Sequence, residues 1–141
     1  MNFMRRAGGG ALLVIALLVV GCGEISTSRY PTIANAERDG AMSRGWLPEV
    51  LAPDATDIEE THDLDSNRGY GNFALNDALL KRLKSVCRPS LAVPPPVPKA
   101  HWWQDTFGKR QQPIGETFEC GHFFIATDSD RRLGRFWTRQ N

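Results

Sequence analysis

The sequence holds few of the residues from which enzymatic centres are built. Only three histidines, His62, His101 and His122, occur in 141 residues, and no two lie at helical or short-loop ligand spacing. That argues against a zinc site of the local kind, and no metal ligands are expected. Serine-nucleophile, phosphate-loop and dinucleotide motifs are all missing, so no cofactor is expected. Internal repeats are absent as well. The longest purely apolar run, Ala11 to Val20, has ten residues, whereas a helix needs about 20 to cross ~30 Å of hydrocarbon. Net charge is +1, from 17 basic and 16 acidic residues. So balanced a chain gives no support for nucleic-acid binding.

What is present points first to export. Arg5 and Arg6 precede the apolar run, and small residues follow it in "VVGCG", Val19 to Gly23. A basic start, a short apolar core and a small-residue exit form a secretory signal peptide, here residues 1–21. Val19-Val20-Gly21-Cys22 resembles the lipobox of bacterial lipoproteins, with Val19 where leucine is usual. The resemblance implies cleavage after Gly21 and diacylation of Cys22. Two acyl chains suffice for stable anchoring, at ~0.8 kcal/mol per buried methylene. The expected location is the periplasmic side of the cell envelope, lipid-anchored, in the outer rather than the inner membrane. Without the leader's Arg5 and Arg6 the mature chain holds 15 basic and 16 acidic residues.

Export also decides how Cys87 and Cys120 read. An even pair in an oxidising compartment is normally a disulfide. Charge in the mature part is uneven. Asp54 to Asp65 holds six acidic residues and no basic one, while Arg131 to Arg139 holds four arginines and no acid. Solvated surfaces account for both runs.

The coarse pattern predicts an α+β fold: two β-hairpins, or one antiparallel sheet, packed on one main helix in a small single domain spanning residues 45–141. Residues 22–44 show no strong period and read as a lipidated, flexible tether with a short helix near Ala34 to Met42. Thr56 onward and Tyr70 to Leu75 read as a hairpin with Ile58, Glu60, His62 and Leu64 on one face. "DALLKRLKSVC" is the clearest helix, capped by Asn76 or Asp77 and stopped by Pro89, with Leu79, Leu80, Leu83, Val86 and Cys87 on its apolar stripe. Pro89 to Lys99 reads as an extended crossover, and the Trp102–Trp103 pair as core or a lid over it. Glu116 to Thr127 and Leu133 to Thr138 read as a second hairpin with Phe118, Cys120, Phe124 and Ala126 on one face.

Gly45 to Asn67, "GWLPEVLAPDATDIEETHDLDSN", resembles a segment of small uncharacterised lipoproteins of Gram-negative-type bacteria, over about a sixth of the chain. Ala52, between Leu51 and Pro53, departs from that pattern, and the resemblance carries no catalytic role. Its last part, Asp63, Asp65 and Asn67, spaces oxygens as a calcium loop does. Arg68 stands where that loop needs glycine and Ala74 where it needs a bidentate glutamate, so a hairpin turn with Asx-type hydrogen bonds is expected instead. "FECGHFF" superficially looks like the cysteine motif of NlpC-type cell-wall peptidases. Those enzymes place the cysteine at a helix start and the histidine well downstream, whereas Cys120 lies in a strand-like run with only His122 after it. The expectation is a non-enzymatic, membrane-anchored lipoprotein with no catalytic residues that binds an envelope protein. The alternative is a small periplasmic thiol- or metal-dependent hydrolase acting on the cell wall.

Overall fold

The computed structural model describes residues 24–94, 96, 100–102 and 115–139. Cys22 and Trp103 therefore lie outside the described residues. The chain begins with strand β1 (Ile25–Thr32) and helix α1 (Ile33–Asp39), then a 3₁₀ turn (Glu49–Leu51). Strands β2 (Thr56–Asp63) and β3 (Arg68–Ala74) follow, then helix α2 (Asp77–Val86) and the short β4 (Arg88–Pro89). The last three strands are β5 (Glu116–Cys120), β6 (Phe123–Asp128) and β7 (Leu133–Thr138). All seven strands join one sheet in the order β1-β2-β3-β7-β6-β5-β4, and every pairing is antiparallel. Two three-stranded meanders thus meet where β3 pairs with β7.

This overturns the expected α+β arrangement built on one main helix. Among the described residues the fold is predominantly one seven-stranded sheet, with two α-helices of seven and ten residues. Residues 25–39 are folded as β1 and α1 and do not form a tether. The reason is visible in β1, "ISTSRYPT": only Tyr30 is buried, so the strand has no apolar alternation to reveal it. Its stability comes from pairing with β2 along its length, from Ile25 opposite Asp63 to Thr32 opposite Thr56. Such tertiary pairing routinely overrides a weak local preference.

Each face of the sheet carries a cluster of buried side chains. On one face α1, the 3₁₀ turn and α2 enclose the main core, which includes Leu47, Leu51, Ile58, Phe73, Leu79, Leu83, Phe118, Ile125 and Phe136. On the other, Ala100 and Trp102 pack with Phe124, Ala126 and Trp137. Trp102 is 3% exposed, and the Trp137 indole donates to the Pro94 carbonyl at 2.9 Å. Burying each large apolar side chain contributes ~1.5–3 kcal/mol.

Two helix caps are as short-range chemistry dictates. The Asn76 side chain accepts from the Leu79 N–H at 2.8 Å, so Asn76 and not Asp77 caps α2. The Cys87 N–H closes the helix onto the Leu83 carbonyl. Leu79 and Leu83 form the buried stripe, but Val86 is 66% exposed, a correction to its expected place on that stripe.

At the β3–β7 seam two glycines accept the rings of neighbouring strands. A Cβ on Gly134 would lie 2.0 Å from the Phe73 ring, and one on Gly71 2.4 Å from the Phe136 ring. Gly134 pairs with Phe73 and Gly71 with Phe136, so each phenylalanine lies over the glycine opposite it.

The second expected hairpin is in fact three strands. Gly121 and His122 form a turn between β5 and β6, placing Cys120 opposite Phe123 and Phe118 opposite Ile125. Phe118 and Phe123 belong to the main core, and Phe124 and Ala126 to the second cluster. Reading the run as one strand had put Phe118, Cys120, Phe124 and Ala126 together; the turn shifts the alternation by one and separates them.

Candidate functional site

The inward-facing positions of β2 run Ile58, Glu60, His62, two apart as a strand requires. Glu60 is 0% and His62 5% exposed. His62 Nδ1 lies 2.5 Å from Glu60 Oε1, while Glu60 Oε2 is buried with no hydrogen-bond partner. Trp46 stacks on the imidazole, with ring centroids 3.6 Å apart and planes inclined by 20°. The Arg44 guanidinium lies over the Trp46 ring, 4.0 Å from its centroid. Arg44 also donates to the Asp39 carbonyl at 2.7 Å and pairs with the Asp39 carboxylate at 3.4 Å. Asp39 in turn accepts from the buried Tyr30 hydroxyl at 2.7 Å.

The electrostatics follow from this packing. Burial pushes the Glu60 carboxyl up from its ordinary range, against the hydrogen bond and charge of His62. Burial, and then Asp39, push the Tyr30 hydroxyl up as well. A carboxylate–imidazole pair is the usual unit of base catalysis. Here Trp46 covers the imidazole face, so the pair locks β2 to the segment above it.

A second feature is open. A cleft of about 590 Å³ lies between the 42–52 segment, the end of α2 and the β5–β6 turn, and is lined in part by Leu47, Val50, Val86, Cys87, Cys120 and His122. Arg82 also lines it, but its guanidinium is engaged by the Val50 and Ala52 carbonyls and by Asp54. Cys87 and Cys120 are bonded to each other at 2.06 Å, tying the end of α2 to β5 beside the cleft.

The other sequence candidates are placed as follows. His101 and His122 are exposed and His62 is buried, so the three histidines do not share a site. Among the described residues no group of three or more His, Cys, Asp or Glu side chains is placed to hold a metal ion. In the acidic turn, Asp63 accepts from the Asp65 N–H at 2.9 Å and from the Ser66 hydroxyl at 2.8 Å. The Ser66 bond is the main reason the Asp63 carboxyl sits below its usual range. Glu60 was not singled out from the sequence. Its signal was its position: an acid on the same alternation as Ile58 and His62.

The sequence model of the family described as the YbbD head domain matches residues 24–74, about a third of the chain. No curated protein and no solved structure matches it. The matched span covers β1, α1, the 3₁₀ turn, β2 and β3. Tyr30, Asp39, Arg44, Trp46, Glu60 and His62 all fall within it, so the locked cluster lies in the part of this chain that is similar to the YbbD head domain.

Proposed function

We propose that the protein is an envelope-associated lipoprotein, anchored through Cys22, whose folded head works by binding a protein partner. The similarity of residues 24–74 to the YbbD head domain supports envelope association. The lipobox-like Val19–Cys22 supports the anchor, and with it a periplasm-facing position on the outer membrane. The observation that carries the binding reading is the cleft. Its rim presents Val86, 66% exposed, and the Cys87–Cys120 bond joins two of its walls. A fixed recess with an exposed aliphatic side chain suits an apolar anchor of a protein partner.

The thiol-hydrolase alternative needs a thiolate at Cys120. That sulfur is bonded to Cys87, and His122 is exposed on the β5–β6 turn. A photo-crosslinking residue at Val86, with Ser129 as the control, tests the binding reading in living cells. A discrete protein adduct is expected from position 86 and none from position 129. Adducts from neither position, together with clearing of a peptidoglycan gel by the purified protein, would favour the hydrolase.

A further inference from the structure

The anchor and the fold together define a membrane-contacting end of the molecule. Cys22 precedes the first residue of β1, Ile25, by three residues. Three residues span at most ~10 Å even when fully extended. The headgroup layer on one side of a bilayer is itself roughly 5–7 Å deep. An acylated Cys22 therefore holds the start of β1 against the headgroups, with no length of chain for the head to hang away from them.

The sheet places specific groups at that end. Ile25 pairs with Asp63, and the Leu64 N–H donates to the Glu24 carbonyl at 3.2 Å. The β2–β3 turn thus lies beside the start of β1. The described chain has four exposed large apolar side chains, Ile25, Leu64, Val86 and Leu91. Two of them, Ile25 at 60% and Leu64 at 48% exposure, are on this strand pair end. Nearby charges are Glu24, Asp63 and Asp65 against Arg68, two more acids than bases, so charge does not draw this end to an anionic surface. Apolar insertion is the favourable term left.

We infer that Ile25 and the Leu64 turn seat in the phospholipid headgroup layer, so that the sheet stands on the membrane by the β1 and β2–β3 end. This rests on acylation at Cys22. It turns the β6–β7 turn, with Ser129, away from the bilayer, because β6 is antiparallel to β7 and β7 to β3. The six residues of β6 set the separation of the two ends at roughly 20 Å.

The test uses full-length acylated protein in phosphatidylethanolamine–phosphatidylglycerol vesicles. A polarity-sensitive fluorophore is placed at Leu64→Cys, at Asp65→Cys as a milder second position, or at Ser129→Cys. Quenching by headgroup-proximal spin-labelled lipid is expected to be several-fold stronger at positions 64 and 65 than at 129, with little change between 50 and 500 mM salt. Equal, weak quenching at all three positions in protein that stays on the vesicles and carries its acyl chains would overturn the inference and leave the anchor standing. Adducts of a protein partner at position 64 in cells, with no quenching in vesicles, would also overturn it. Equal labelling of the wild type and Cys22→Ser by a palmitate analogue would instead remove the lipoprotein reading, and the inference with it.

Discussion

Replacing His62 by alanine tests whether the buried pair is structural. Glu60 has no accessible surface, and His62 is its hydrogen-bond partner. Removing the partner of a buried carboxylate costs about 3–5 kcal/mol, because its charge is then stranded. The lost stacking with Trp46 adds ~0.5–1.5 kcal/mol. The expected loss of about 4–6 kcal/mol is a large share of the ~5–15 kcal/mol that holds a typical domain together. Urea denaturation at pH 7, followed by tryptophan emission, measures it. Adding Glu60→Gln to His62→Ala is expected to restore much of the loss, since the stranded charge is gone. The pH dependence has a definite sign. Burial raises the Glu60 pKa in the folded chain from 4.5, so between the two values the folded state keeps a proton that the unfolded state has released. Stability from this group is full below the unfolded value and is lost as pH rises through the folded one. Without His62, which lowers the Glu60 value, that window moves upward. The cost of His62→Ala should therefore shrink as pH falls from 7 towards 4.5. A cost under ~1 kcal/mol at pH 7, or one that grows on acidification, would refute a buried, stranded carboxylate.

Three other perturbations have defined outcomes. Reducing the Cys87–Cys120 bond, whose partners lie 33 residues apart, should lower stability by about 3–4 kcal/mol in the chain-entropy model and release no peptidoglycan hydrolysis; activity appearing on reduction would reinstate Cys120 as a nucleophile. Gly71→Ala puts a methyl group 2.2 Å from the Glu59 carbonyl oxygen and 2.4 Å from the Phe136 ring, and should cost about 1–3 kcal/mol as overpacking in a urea titration. Millimolar calcium should leave the thermal midpoint unchanged, because both Asp63 oxygens already serve the turn; a site of ~10 μM affinity would contribute roughly 2.7 kcal/mol at 1 mM and raise the midpoint by more than ~10 °C.

The parts of the fold that could be read in advance are those where burial and period coincide. α2 shows Leu79 and Leu83 one turn apart, both fully buried, with a capping asparagine just ahead. β2 alternates with Ile58 inward, and β3 alternates likewise. β1 escaped because an edge strand buries little. Its serines and threonines satisfy the pleat without announcing it, and its partners on β2 are distant in sequence, 24 residues away at Thr32–Thr56 and 38 at Ile25–Asp63, as in the Thr27–Thr61 hydroxyl pair. The β5–β6 turn escaped for the opposite reason. Apolar residues continue on both sides of Gly121-His122, so the run reads as one strand although the chain reverses.

The locked cluster was half legible. The alternation that places Ile58 inward also places Glu60 and His62 inward, and two ionisable residues at buried strand positions need partners or pay heavily in desolvation. That much is readable without coordinates. The covering layer is not. Trp46 reaches His62 from a segment with no regular period, between the Gly40 end of α1 and the 3₁₀ turn. Arg44 and Asp39 then tie that segment to Tyr30 on β1. The chain of contacts Tyr30–Asp39–Arg44–Trp46–His62–Glu60 thus starts on β1, crosses the covering segment and ends on β2, the adjacent strand. It fastens the layer to the first two strands of the sheet, the region similar to the YbbD head domain. A site built for turnover would leave the imidazole open to substrate. This one spends a tryptophan and an arginine on closing it, which favours a rigid platform over a reacting centre.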